Sequence, residues 1–258
     1  MRKSLLFAAT LLALALVACQ GGSADPLESG RAHLEAGEYA EAITDLEAAV
    51  EADQDDSEAH FWLGRAYNQS GDLERAEDEF KTVLVLDPDK AAAHHNLGVT
   101  YLQLQAPGKA IAEFLIALEL EPDAPDVHET HYQLGMTYFI LSFPVDNPMA
   151  PPDPQLLEQA ISEFETALEL KEDMPEALIG MGNIYIVQGD YPAAIEMLQR
   201  AIEQAPDLPE AYYWLGSAYA QSGDIESACE SYSRFLTLEP PPNRRDQVRE
   251  EKVLLGCP

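Results

Sequence analysis

The chain has 258 residues, and 47% of them are apolar, so it can bury a sizeable core. Its 46 acidic residues outnumber its 15 lysines and arginines, which gives a formal net charge of −31. Because nucleic-acid binding depends on cationic side chains that face phosphates, this composition argues against a nucleic-acid partner. An anionic lipid surface would also repel the protein, so any attachment to a membrane must come from something other than charge.

The N-terminal residues have the pattern of an export signal. Arg2 and Lys3 precede an apolar run from Leu5 to Cys19, which is too short to span a membrane as a helix. The run ends in Leu-Val-Ala-Cys, which resembles the lipobox of bacterial lipoproteins. The resemblance implies that residues 1–18 are a cleaved signal peptide and that Cys19 carries a lipid anchor. The alternative is an ordinary signal peptide that a cysteine follows by chance.

A lipoprotein of this kind lies outside the cytoplasm, anchored to the cell membrane or the outer membrane of a bacterium. Several acyl chains hold a protein on a bilayer without a basic patch. In lipoproteins of bacteria with two membranes, an aspartate directly after the lipidated cysteine favours retention in the inner membrane. This chain has Gln20 at that position, so the resemblance favours the outer membrane. Residues 19–25 are the cysteine and a short polar linker, which as a flexible coil would span about 13 Å.

Six glycines with similar neighbours recur along the rest of the chain, at steps of 34, 34, 37, 47 and 34 residues. Each is followed after twelve residues by an alanine, once an insertion in the fourth unit is allowed for, and four residues later by a large side chain. The glycines are Gly30, Gly64, Gly98, Gly135, Gly182 and Gly216; the alanines are Ala42, Ala76, Ala110, Ala160, Ala194 and Ala228; the large residues are Leu46, Phe80, Phe114, Phe164, Leu198 and Tyr232.

This pattern predicts two helices per unit, joined at a Gly-Asp or Gly-Glu turn. Glycine can end the first helix in the left-handed conformation, and an acidic residue suits the start of the second. The glycine of the first helix and the alanine of the second together predict a close approach of the two backbones.

A helix-turn-helix period of 34 residues resembles the tetratricopeptide repeat. The resemblance implies an all-α fold, a right-handed α-solenoid of about six units with a C-terminal cap helix, over residues 26–258. We place the units at about residues 23–56, 57–90, 91–124, 128–174, 175–208 and 209–242, and the cap at 243–258.

The fourth unit contains a proline-rich insertion, SFPVDNPMAPPDP, at residues 142–154. Its prolines prevent a helix and favour a stiff, extended loop. The loop either closes over the neighbouring surface of the repeats or is a tolerated surface insertion.

Two cysteines remain beyond Cys19. Cys229 follows the alanine of the sixth unit, at a position that faces the next element, which here is the cap with Cys257. In an exported protein the two could form a disulfide that holds the cap, and the alternative is a pair of free thiols.

No enzyme motif is found in the chain, and the repeats account for most of it, so we expect neither a catalytic residue nor a cofactor or metal. One alternative stays open, because His94, His95, His128 and His131 cluster in the sequence and could form a small-ligand or metal site. The other interpretation is structural. His60, His94 and His131 share the fourth position of their units, where the family packs a large aromatic side chain.

In tetratricopeptide arrays the first helices line a groove, and positions 2, 5, 9, 12 and 13 of each unit face the partner. Carried over to this sequence, they predict an apolar floor in units three to five. The predicted groove residues are Phe61, His95, Val99, Leu102, Tyr132, Met136, Phe139, Ile140, Ile179, Asn183, Ile186, Val187 and Tyr213. The second positions, Glu58, Glu129, Glu176 and Glu210, form either an acidic rail beside the floor or merely favourable charges in the first helical turn.

The sequence therefore predicts a membrane-anchored, extracytoplasmic scaffold or adaptor that binds a peptide or helix of another envelope protein. Pilotin-type lipoproteins, which have six such repeats and help a pilus or secretion pore to assemble, are the nearest analogy, based on architecture alone. The oligomeric state does not follow from the sequence.

Overall fold

The computed structural model describes residues 25–144 and 150–258. The predicted signal peptide, Cys19, most of the linker and residues 145–149 of the insertion lie outside the described residues. The described ranges contain thirteen α-helices and no strand, so the predicted all-α class is confirmed. The helices are α1 (Pro26–Glu35), α2 (Tyr39–Ala52), α3 (Ser57–Ser70), α4 (Leu73–Leu86), α5 (Ala91–Gln103), α6 (Pro107–Leu120), α7 (Val127–Ser142), α8 (Pro154–Leu170), α9 (Pro175–Gln188), α10 (Tyr191–Gln204), α11 (Pro209–Ser222), α12 (Ile225–Thr237) and α13 (Pro242–Leu255).

The helices pair in chain order into six hairpins, each with a first helix (the A helix) and a second (the B helix). Two compact units contain them: the first holds α1 to α4 and ends at residue 88, and the second begins at residue 89 and holds α5 to α13. In the second compact unit, each B helix packs on the A helix of the next hairpin, and successive A helices also touch one another. Helix α13 packs on α12 at the end of the stack. This is the stacking of helical hairpins that the repeat pattern predicts.

The turns inside the hairpins have the predicted chemistry. Gly71 and Gly223 adopt the left-handed conformation, with φ of 86° and 90°, directly after α3 and α11. The carboxylates of Asp72 and Asp224 accept hydrogen bonds from the backbone N–H groups of Arg75 and Ser227 in the next helix. Each turn therefore ends one helix and caps the start of the other.

The repeated glycines lie against the large side chains of the B helices. A Cβ atom added to Gly98 would lie 2.6 Å from Cε1 of Phe114, and one added to Gly64 would lie 2.9 Å from Cε1 of Phe80. The A helix therefore approaches the large side chain of the B helix. The predicted close approach of the backbones is also present, because the added Cβ would lie 3.2 Å from the backbone oxygen of the repeat's alanine in the first and fourth hairpins. The alanines, such as Ala110, are fully buried beside the large side chains, where a larger residue has no room.

Candidate partner-binding groove

In the second compact unit, the predicted groove residues lie on the A helices α5, α7, α9 and α11. We call this surface the A-helix face. On α7, Tyr132, Met136 and Phe139 are half-buried and pack against the core that α8 and α9 form. Ile140, at the end of the same helix, is 50% exposed, and Val187 at the end of α9 is 39% exposed. The helices thus hold an apolar strip at the surface, fixed from below by the core.

The strip is narrower than the predicted floor. Ile179, Ile186 and Tyr213 are each only 8% exposed, because they pack into the core between neighbouring hairpins. Phe61 is likewise buried, and it lies in the first compact unit. The remaining predicted residues, His95, Val99, Leu102 and Asn183, are half-buried on α5 and α9.

Two polar groups on this face have unequal surroundings. The Nδ1 atom of His95 lies 2.8 Å from Oγ1 of Thr130 on α7, so that ring is positioned by the next hairpin. The side-chain oxygen of Asn183 is buried and has no hydrogen-bond partner among the described residues. Since a buried acceptor without a donor is unfavourable, a bound segment with an N–H group could satisfy it.

Carboxylates follow one edge of the A-helix face. Glu129, Glu176 and Glu210 are exposed in the first turns of α7, α9 and α11. Burial raises the pKa of Tyr132, and the negative charges of Glu176 and Glu129 raise it further. Carboxylates of two successive hairpins therefore act electrostatically on the phenol of Tyr132.

Three of the histidines contact glutamates of their own hairpins. Nδ1 of His94 lies 2.7 Å from a carboxylate oxygen of Glu113, and Nδ1 of His131 lies 2.6 Å from one of Glu163. His60 makes the same contact with Glu79 at 2.6 Å. Each pair joins the A and B helices of one hairpin. Among residues 25–144 and 150–258, no three His, Cys, Asp or Glu side chains are grouped where they could hold a metal.

The base of the insertion touches the apolar strip. The backbone N–H of Asp153 donates a hydrogen bond to the carbonyl of Ser142, at 2.8 Å, which closes the two ends of the loop. The ring of Phe143 packs edge-on against Phe139, with centroids 5.3 Å apart, and stays 42% exposed. Phe143 thereby extends the strip beyond the end of α7.

The two cysteines of the C-terminal region are joined in the structure. Cys229 on α12 and Cys257 beyond α13 form a disulfide with their Cα atoms 5.6 Å apart. This bond supplements the buried contact of Val248 with Tyr232 and Phe235, by which α13 covers the last hairpin.

A stack of cations on tryptophan in the first compact unit was not predicted from the sequence. The guanidinium carbons of Arg31 and Arg65 lie 4.5 and 4.6 Å from the ring centroid of Trp62. Burial lowers the pKa of Arg65. Both arginines take the ninth position of their units, so the positions were visible in the sequence but the stacking was not.

Stacked helical hairpins with an exposed apolar strip define a repeat scaffold of the kind that binds other proteins. The chain belongs to the tetratricopeptide repeat family: models of this repeat match residues 27–91, 69–125, 182–223 and 209–242, which together are more than half of the chain. No curated protein matches the sequence.

Solved structures show the same fold at low sequence identity. PilF of Pseudomonas aeruginosa is 18% identical, with a TM-score of 0.72 over 88% of this chain and 96% of its own. PilW, described as a widely conserved type IV pilus biogenesis factor, is 16% identical, with a TM-score of 0.71 over 82% and 91%. YrrB, described as having an unusual peptide-binding site, is 23% identical, with a TM-score of 0.56 over 80% and 97%. None of the helices in the described ranges is long and apolar enough to cross a membrane.

Proposed function

We propose that this protein is a membrane-anchored, extracytoplasmic adaptor whose A-helix face binds a peptide or helix of another envelope protein. The observation that carries the proposal is the apolar strip, whose half-buried members the core holds in place and whose exposed members are Ile140, Phe143 and Val187. Exposed apolar side chains in a contiguous patch are typical of interaction surfaces. The protein acts by binding and positioning, without chemistry of its own.

Two further points support the proposal. The lipobox resemblance at Cys19 supports a lipid anchor and an extracytoplasmic location. The structural likeness to PilF and PilW is one of fold, and PilW, a type IV pilus biogenesis factor, is an example of the assembly work that such an adaptor can perform. The histidine alternative is not proposed, because His94 and His131 are already engaged by glutamates of their own hairpins.

A pair of charge substitutions in the strip tests the binding face. Ile140→Glu together with Val187→Glu changes two exposed side chains, so the fold should persist, and circular dichroism checks this. The matched control is Leu115→Glu with Leu170→Glu, which are 47% and 51% exposed on the B helices α6 and α8. Crosslinking in cells, followed by affinity capture and mass spectrometry, should identify a protein that wild type and the control capture and the strip variant loses. Equal capture by all three forms would contradict the proposed face.

The anchor is tested separately. With Cys19→Ser the protein should leave the membrane fraction and lose incorporation of a fatty-acid label. If the variant stays in the membrane fraction, anchoring by Cys19 is wrong, whatever the capture experiment shows.

A further inference from the structure

The A helices of the second compact unit contribute acidic side chains and no lysine or arginine to their common face. Helices α5, α7, α9 and α11, all of them described residues, contain no lysine or arginine, whereas Glu129, Glu176 and Glu210 are exposed along one edge. From residue 91 onward, every lysine and arginine lies on a B helix, on the cap helix or in a connection. The A helices themselves therefore supply no lysine or arginine to balance the acidic edge. One cation reaches the face from the cap helix, where the guanidinium carbon of Arg244 lies 4.6 Å from the ring centroid of Tyr213.

The acidic edge adjoins the apolar strip. Glu129 and Tyr132 are three residues apart on α7 and so share one face of the helix, and Tyr132 belongs to the half-buried group with Met136 and Phe139. An apolar, poorly hydrated surface beside carboxylates strengthens their attraction for a cation, because the local dielectric constant is lower than that of water.

We propose that the occupant of the A-helix face is a cationic amphipathic helix of the partner protein, with apolar side chains on the strip and lysines or arginines along the glutamate edge. The proposal rests on the proposed function and specifies the partner's chemistry. An amphipathic helix presents an apolar stripe and a flanking line of charges together, whereas an extended chain alternates its side chains between opposite faces.

The geometry sets the spacing of the cations. Glu129, Glu176 and Glu210 occupy the same repeat position on successive A helices, which pack on one another. Packed helices lie about 8–10 Å apart, and seven residues of a helix rise about 10 Å. Cations seven residues apart on the partner helix would therefore meet successive glutamates.

Synthetic helices of about 21 residues test this chemistry. One probe carries an apolar stripe with lysines spaced seven residues apart at its flank, and a second carries glutamines at those positions. Binding to the full-length protein in zwitterionic lipid nanodiscs is measured by fluorescence anisotropy, with empty discs as the blank. The lysine probe should bind roughly tenfold tighter than the glutamine probe, and added salt should reduce the difference.

Two triple variants with the same change in net charge locate the effect. The edge variant is Glu129→Gln, Glu176→Gln and Glu210→Gln, and the control changes three exposed glutamates of B helices, Glu119, Glu169 and Glu203, to glutamine. The preference for lysine should vanish in the edge variant and persist in the control. Equal loss in both variants would trace the preference to the net charge, and this would overturn the proposal.

Equal binding of the two probes by wild type, or binding of neither, would also overturn the proposal. The proposed function would be unaffected by these outcomes, because the strip variant and its capture experiment decide it independently.

Discussion

At the scale of single residues, the close contact between a glycine of the A helix and a large side chain of the B helix is the most sensitive feature of each hairpin. Gly98→Ala adds a Cβ 2.6 Å from Phe114, which must shift or force α5 away from α6. We expect the free energy of unfolding to fall by about 1–3 kcal/mol, as for other overpacked cores.

Urea unfolding measures this loss, with Gly108→Ala in α6 as the control. A Cβ at Gly108 meets nothing within 4 Å, so the control should be neutral or slightly stabilised. Equal effects of the two substitutions would show that the glycine positions matter for the backbone alone and not for packing.

A second prediction at this scale concerns pH. Burial raises the pKa of Tyr67 to about 12, with a further contribution from its hydrogen bond to Glu47. Because the folded-state pKa exceeds the ordinary value of 10, the stabilisation is complete below pH 10 and is lost as the pH rises toward 12. The free energy of unfolding should therefore decline across this range, and less steeply in Tyr67→Phe.

The control for the pH experiment is Tyr39→Phe. Tyr39 lies in the same compact unit as Tyr67 and is 39% exposed. Tyrosinate absorbance and urea unfolding at several alkaline pH values provide the measurement. An identical pH dependence in Tyr67→Phe and wild type would contradict the assignment.

At the scale of helices, the sequence predicted what each repeat does by itself and missed what neighbours add. Glycine turns and aspartate caps follow from local backbone chemistry, so Gly71 and Asp72 could be assigned from the repeat alone. The burial of Ile179 and Ile186 depends on how closely adjacent hairpins pack, which a repeat position does not encode.

The histidine–glutamate pairs were missed although the sequence contains a signal for them. Where the fourth position of a unit is histidine, as in His94 and His131, the residue before the large side chain of the B helix is glutamate, Glu113 and Glu163. In the fifth unit the two positions hold Leu178 and Met197 instead. Comparing position pairs between units, and not single positions, would have predicted these contacts.

The disulfide between Cys229 and Cys257 is the covalent link of the cap to the last hairpin. It closes a sequence separation of 28 residues, and its loss should lower the free energy of unfolding by about 3 kcal/mol. Reductant should therefore destabilise wild type, and amide hydrogen exchange in α13 should rise. The double variant Cys229→Ala and Cys257→Ala should already be destabilised and insensitive to reductant. A reductant effect of equal size in that variant would rule out the disulfide as the cause.

At the scale of the whole molecule, the net charge of −31 opposes folding, because a compact chain holds its negative charges closer together than an unfolded one. Salt screens this repulsion, with a Debye length of about 10 Å at 0.1 M and 30 Å at 0.01 M. We expect the midpoint of unfolding in urea, an uncharged denaturant, to rise when sodium chloride is increased over this range.

The same salt should act in the opposite direction on the A-helix face, where it screens an attraction between glutamates and a cationic helix. Over one series of salt concentrations, stability should rise while the affinity for the lysine probe falls. Potassium chloride at equal ionic strength is the control for effects of a specific ion. If stability and affinity both fall as salt is added, the loss of binding is due to unfolding. That outcome would contradict the expectation that salt relieves self-repulsion and weakens recognition.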